Sequence, residues 1–201
     1  RIQWRGPPSV LRELASEEDT VSIRCLRLRR NFGQTGALAT GFAASRGEVV
    51  VALDADLQND PRDIPELVGR VEQGADVVCG WRKDRQDAAL TRNLPSAVAN
   101  RLISWLSKVH LHDYGCSLKA YRRDVIESVR LYGEMHRFIP ILAHQRGARC
   151  VEMATRHHPR RFGTTKYGLS RIGRVLLDLL TIRMLLSCAR RPSHWFGCWA
   201  A

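Results

Sequence analysis

Apolar positions in this chain recur in two periods that alternate along its length. Short runs at residues 21–26, 48–53, 76–79, 117–121 and 150–155 have the length and β-branched content of strands. Between them lie stretches with a helical period. Residues 34–45 are rich in alanine and are closed by Gly47, and residues 61–73 are stopped by Gly74. Residues 94–109 place Leu94, Val98, Leu102, Trp105, Leu106 and Val109 on one face. Residues 135–145 read as a helix that Pro140 starts or bends. A first helix near residues 10–15 feeds the strand at 21 directly, after a loop at residues 1–8. Strands alternating with helices at this spacing predict an α/β fold: a mostly parallel sheet flanked by helices.

The run Val49-Val50-Val51-Ala52-Leu53 reads as a strand buried on both faces, and it ends abruptly in Asp54-Ala55-Asp56-Leu57-Gln58. Ligands of open α/β sheets bind at the carboxyl ends of strands. Side chains two apart on an extended chain point the same way, so Asp54 and Asp56 form a pair. Two hard oxygen ligands with Gln58 beside them suit Mg²⁺ or Mn²⁺, whose shell is commonly shared with water and phosphate oxygens. A carboxylate placed directly after five apolar residues is costly unless something pairs with it. Asp60-Pro61 has a simpler reading, as the N-cap and first residue of the following helix.

Charge narrows the choice of partner. A net charge of +12 over 201 residues implies anionic ligands: phosphorylated molecules, nucleic acid or a membrane surface. The six cysteines, at 25, 79, 116, 150, 188 and 198, are scattered without a Cys-x-x-Cys pair. That spacing argues against a zinc site and a disulfide scaffold, and fits a reducing compartment. The 201 residues contain neither an N-terminal secretory segment nor an uncharged run of 18 residues.

Four basic or polar stretches carry candidate chemistry. Arg82, Lys83 and Arg85 follow the strand at 76–79, where they meet either phosphate or solvent. Asp113, in His112-Asp113-Tyr114-Gly115-Cys116, is a general base or a turn former beside Gly115, and local physics alone favours the turn. From Arg156 to Arg174 there are six Arg or Lys and no acid. Gly163, Thr164, Thr165 and Gly168 make a flexible loop there that can fold over phosphates, with Arg161 supplying a fork and Lys166 a point charge. The adjacent His157 and His158 diverge on an extended chain, which disfavours a metal pair. Finally, residues 169–188 are apolar but interrupted by Arg171, Arg174, Asp178 and Arg183, a pattern of either amphipathic helices on an anionic bilayer surface or a C-terminal helix packed on the sheet, with the basic residues favouring the bilayer.

Five ordered motifs together resemble one family. They are Asn31-Phe32-Gly33-Gln34-Thr35, the Asp54–Pro61 segment, Gly80-Trp81-Arg82, Asp113-Tyr114-Gly115-Cys116, and Arg161-Phe162-Gly163-Thr164-Thr165-Lys166-Tyr167-Gly168. Their order is similar to that in glycosyltransferase family 2, in particular the polyprenyl-phosphate glycosyltransferases, over nearly the whole chain. The resemblance implies a GT-A (Rossmann-like) fold, a nucleotide-sugar donor and transfer of the sugar with inversion to a polyprenyl phosphate. A UDP-sugar is favoured over GDP-mannose. It further implies Asp54 and Asp56, with Gln58, as ligands of Mg²⁺ or Mn²⁺, and Asp113 as the catalytic aspartate. Arg161, Gly163 and Lys166 would sit on the donor diphosphate, and Arg82 and Lys83 on the acceptor phosphate. Partners would be the lipid phosphate and an anionic membrane surface, at the cytoplasmic face of the inner membrane, with no nucleic acid and with self-association left open.

The same resemblance marks two departures. Family members begin with strands that hold the nucleoside, ending in Asn-Glu and Asp-Asp-Gly-Ser; neither motif occurs here. Most continue into transmembrane helices beyond the equivalent of Arg191-Pro192. The expectation is therefore a partial GT-A catalytic domain at 1–168, an amphipathic membrane-interface segment at 169–201, and weak or no activity in the chain as it stands. Two other readings are carried forward: a membrane-associated remnant without catalysis, and a basic nucleic-acid-binding module.

Overall fold

The computed structural model describes residues 22–83, 109–131 and 135–159, together with positions 104, 133 and 184. Four strands form one sheet: β1 (Val49–Ala52), β2 (Val77–Trp81), β3 (Lys119–Arg122) and β4 (Cys150–Ala154), in the spatial order β1-β3-β2-β4. β2 and β4 pair in parallel, while β3 lies antiparallel between β1 and β2. Three strands therefore share one direction and β3 opposes them, giving a mixed sheet.

Four helices are described: α1 (Gly33–Ala44), α2 (Ile64–Glu72), α3 (Arg123–Ser128) and α4 (Ile139–Gln145). A 3-10 turn, Pro61–Asp63, opens α2. Its cap is Asp60, whose carboxylate accepts the Arg62 N–H at 3.0 Å, as the Asp60-Pro61 pair predicted. α2 ends where Gly74 adopts φ +97, a conformation that glycine takes without a Cβ penalty. Another 3-10 turn, Met135–Phe138, replaces the first part of the helix expected at 135–145, because Pro140 lies in the first turn of α4 and lacks the N–H that would bond back.

Side-chain alternation on the strands builds a core on each face of the sheet. Val77, Cys79 and Tyr121 pack with Phe138, Ile139 and Ile141 on one side. Val78, Leu118, Ala120 and Met153 pack with Leu67 and Val71 of α2 on the other. β2 is thus the strand buried on both faces. β1, expected to be so, is only half-buried, because it stands at the edge of the sheet among the described residues.

Two further expectations are corrected. The strand anticipated at 21–26 forms no ladder at residues 22–28, and Ile23 and Leu26 are exposed; a strand needs a partner, and no described residue supplies one. Helix α3 has no counterpart in the sequence pattern, since six residues with only Val125 and Ile126 buried carry too little period. The helices expected near 10–15 and at 94–109 fall outside the described residues, apart from helical Ser104, half-buried, and Val109, buried. The boundary at 168 also falls outside them; Met184 is helical and exposed. Among the described residues no helix is long and apolar enough to cross a membrane.

Candidate active site

The loop leaving β1 carries the carboxylate pair. Asp54 is half-buried and its Oδ1 accepts from Gln34 Nε2 of α1 at 3.2 Å. Burial holds the Asp54 carboxyl above its ordinary value and the charge of Asp56 adds to this, while a hydrogen bond from Ser117 opposes both. Asp56 Oδ1 accepts the backbone N–H of Gln58 at 3.2 Å, a turn closed over Leu57. Leu57 has φ +60, and among the described residues it alone combines a side chain with a positive φ. The left-handed region costs a residue with a Cβ on the order of 1–2 kcal/mol. Strain of this kind persists where the surroundings over-determine the backbone.

These surroundings are visible. The Gln58 carbonyl accepts the His158 N–H at 2.8 Å, and Asn59 bridges to His157. Asp60 pairs with Arg62 at 2.8 Å and with His158 Nε2 at 3.2 Å, so its carboxyl lies well below the usual carboxylate range, mainly through Arg62. Asp63 accepts the N–H of Arg156 at 2.8 Å and its Nε at 2.9 Å. The histidines thus divide as expected for neighbours on an extended chain: His157 is buried, and His158 reaches Asp60. Residues 156–158 are clipped to residues 58–63. Arg161, Gly163 and Lys166 lie outside the described residues.

The second half of the site is the loop between residue 109 and β3. Asp113 is only 4% exposed. Arg82, at the end of β2, forks onto it with Nε to Oδ2 at 2.6 Å and Nη2 to Oδ1 at 2.9 Å, and the Gly115 N–H donates to Oδ1 at 3.0 Å. Two residues assigned by resemblance to different phosphate and catalytic roles are therefore in direct contact. Lys83 is exposed beside them. The turn reading of Asp113 is also correct in part, since its carboxylate caps Gly115.

Three residues that sequence reasoning passed over hold this loop. Lys119 of β3 is 3% exposed and its Nζ donates to the Tyr114 carbonyl at 3.2 Å. Asn59 donates to Ser117 Oγ at 2.9 Å and so ties the carboxylate loop to the Asp113 loop. Glu152 of β4 accepts the His112 N–H at 2.7 Å and the Asp113 N–H at 3.1 Å on one oxygen, and contacts His112 Nδ1 at 2.7 Å with the other. The signal that could have found Lys119 and Glu152 is a charged residue inside a strand pattern, which needs a specific partner.

The two halves share one cleft of about 100 Å³. Asp54 lines it from the loop after β1, Gly115, Cys116, Ser117 and Lys119 from the Asp113 side, Gln34 from α1 and His136 from the 3-10 turn before α4. His136 Nδ1 lies 2.8 Å from Thr35 Oγ1 of α1, which fixes the far wall. Among the described residues no group of three or more His, Cys, Asp and Glu could hold a metal ion by itself. The donor set instead fits a hard cation held partly by the protein. The charge of Asp56 disfavours the ionised form of Asp54, and a shared cation whose remaining ligands are water and phosphate would relieve it.

Comparison with known proteins places this arrangement among relatives. A family model described as Glycosyl transferase family 2 matches residues 6–130. A dodecaprenyl-phosphate galacturonate synthase from Rhizobium johnstonii is 47% identical over 180 residues, covering 88% of this chain and 53% of the relative. An undecaprenyl-phosphate 4-deoxy-4-formamido-L-arabinose transferase from Pseudomonas aeruginosa is 42% identical over 177 residues, covering 88% and 52%. The chain spans about half the length of the curated relatives it matches. Among solved structures, glucosyl-3-phosphoglycerate synthase from Mycobacterium tuberculosis in complex with Mn²⁺, UDP-glucose and glycerol 3-phosphate aligns with a TM-score of 0.54 at 20% identity, over 82% of this chain and 57% of that one. Its complex with phosphoglyceric acid aligns with a TM-score of 0.56 at 22% identity, over 82% and 57%. This likeness shows the fold, GT-A.

Proposed function

The chain belongs to glycosyltransferase family 2, and from that premise we propose that it is the catalytic part of an enzyme that transfers a sugar, with inversion, from a nucleotide-sugar donor to a polyprenyl phosphate. The observation that carries this reading is the shared cleft, lined by Asp54 on one side and by Tyr114 and Gly115 of the Asp113 loop on the other. Relatives named as polyprenyl-phosphate sugar transferases support the acceptor. The basic segment at 169–201 is assigned to the membrane surface, which brings a lipid phosphate to the site.

Each residue has a task. Asp54 and Asp56, with Gln58, would hold Mg²⁺ or Mn²⁺. Such a cation, when bound, offsets negative charge developing on the departing diphosphate. Arg161, Gly163 and Lys166 are assigned to the same diphosphate by family resemblance. Arg82, with Lys83, receives the acceptor phosphate, and Asp113 positions the attacking oxygen. A phosphate oxygen forms the new bond to the anomeric carbon while the bond to the diphosphate breaks. A phosphate is already a nucleophile at neutral pH, so the main demand is electrostatic stabilisation of the leaving group rather than a strong base.

Calorimetry tests the reading. The chain should bind UDP in the presence of Mn²⁺, with weaker or no binding of GDP, and Asp56→Ala should abolish the metal-dependent part. Nucleotide binding indifferent to metal and to Asp56→Ala would overturn it, as would metal-free, salt-sensitive binding of an oligonucleotide in place of UDP. With polyprenyl phosphate in anionic vesicles, sugar transfer should be lost in Asp113→Asn.

A further inference from the structure

We infer that Glu152 is a positioning residue: it sets the place of Asp113 against Arg82 from the neighbouring strand, an inference that rests on the assignment of Asp113 and Arg82 to the reacting site. Glu152 sits in the middle of β4, flanked by Val151 and Met153. Its side chain is only 12% exposed. A glutamate so shielded within a strand carries a desolvation cost unless its oxygens are used. Both are. Oε1 accepts the backbone N–H groups of His112 at 2.7 Å and Asp113 at 3.1 Å, and Oε2 meets His112 Nδ1 at 2.7 Å.

The geometry joins two anchors on one rigid ribbon. β2 and β4 run parallel with Cys79 opposite Glu152 and Trp81 opposite Ala154. Arg82 follows Trp81 directly, so β2 fixes the guanidinium end of the pair. Glu152 reaches from β4 to the backbone of Asp113 and fixes the carboxylate end. The distance between Arg82 and Asp113 is therefore governed by strand register, which is far stiffer than a loop. The ring of His112 stacks on Trp81 with centroids 4.5 Å apart and adds a contact between the same two anchors.

The oxygen assignment makes a sharp test. Both backbone N–H groups converge on Oε1, so Glu152→Gln keeps their acceptor and needs only a change of tautomer at His112. Glu152→Met keeps the volume of the side chain but accepts neither bond. Amide hydrogen exchange and the Arg82 Nε–H resonance are read by NMR on the 201-residue chain. In Glu152→Met, the His112 and Asp113 amides should exchange about tenfold faster or more, and the Arg82 resonance should broaden, while amides of β2 stay protected. Glu152→Gln should behave as the native chain.

Unchanged protection in Glu152→Met would overturn the inference. So would a Glu152→Gln variant that loses the Arg82 resonance, a criterion that stands even if the Met variant does not fold. In sugar transfer, Glu152→Met should lower kcat about a hundredfold with donor KM unchanged, and Glu152→Gln should restore it. Nucleotide binding indifferent to Mn²⁺ and to Asp56→Ala, in a chain whose Asp113 and Arg82 signals respond as stated, refutes the proposed function and leaves the positioning role intact.

Discussion

Arg82 holds Asp113 by both carboxylate oxygens at 2.6 and 2.9 Å, and both side chains are largely shielded, at 14% and 5% exposure. Removing one partner of such a pair strands the other charge in a poor solvent. Arg82→Ala is expected to destabilise the chain by about 3–5 kcal/mol. Arg82→Lys should recover only part of this, because an ammonium cannot reproduce the planar fork. Urea denaturation followed by circular dichroism measures both, and a change under about 1 kcal/mol for Arg82→Ala would show that the pair is not desolvated.

Gly80 is irreplaceable for steric reasons. A Cβ built there would lie 2.8 Å from the Leu118 carbonyl oxygen, 2.9 Å from Cys116 Sγ and 3.1 Å from Thr155 Cγ2. The first of these is backbone immediately before β3, held by the Gly80 N–H at 2.9 Å, and cannot step aside. Gly80→Ala should cost about 1–3 kcal/mol by overpacking and shift Arg82 away from Asp113. Its thermal midpoint, compared with that of Gly69→Ala, where nothing lies within 4 Å, isolates the effect.

Acid stability should depend on Asp60. Arg62 and His158 hold its carboxyl below the ordinary value of 3.8. A depressed folded-state value stabilises the fold at pH above the unfolded value, and that contribution is lost as pH falls through the folded one. Asp60→Asn should therefore be less stable than the native chain at neutral pH, and the gap should narrow steadily below about pH 4. Parallel slopes of stability against pH for the two proteins would contradict this.

Thiol reactivity should divide by burial. Cys150 is pushed up to about 12 by desolvation, and burial also raises Cys79 and Cys116, whereas Cys25 is exposed. Since the thiolate is the reactive form, iodoacetamide at pH 8 should modify Cys25 and spare Cys79, Cys116 and Cys150 while the chain is folded. Peptide mapping by mass spectrometry reads this directly, and labelling of Cys79 in native buffer would mean that β2 is open.

The carboxylate side of the cleft was legible in the sequence because its signal is local: an apolar run, two carboxylates and a helix cap lie within residues 49–61. The catalytic assignment of Asp113 rests on family resemblance alone, since its own neighbours favour a turn. The contacts that make it more than a turn come from residues 31 and 39 positions away, Arg82 and Glu152, and no period reveals those. The reversed strand escaped for the same reason. Residues 119–122 have the same apolar content whichever way they run, and their direction is set by the partners they find.

The placement of β3 has a consequence for how the molecule assembles. β1 and β2 do not touch; each bonds to β3, which follows them by dozens of residues. Until residues 119–122 arrive, two hydrophobic strands present open edges with no ladder between them. The cleft is therefore a late product of folding, closed by a long-range insertion of the kind that slows folding. A nascent chain synthesised as far as Asp113 would already carry both acidic elements of the site and still lack the strand that unites them.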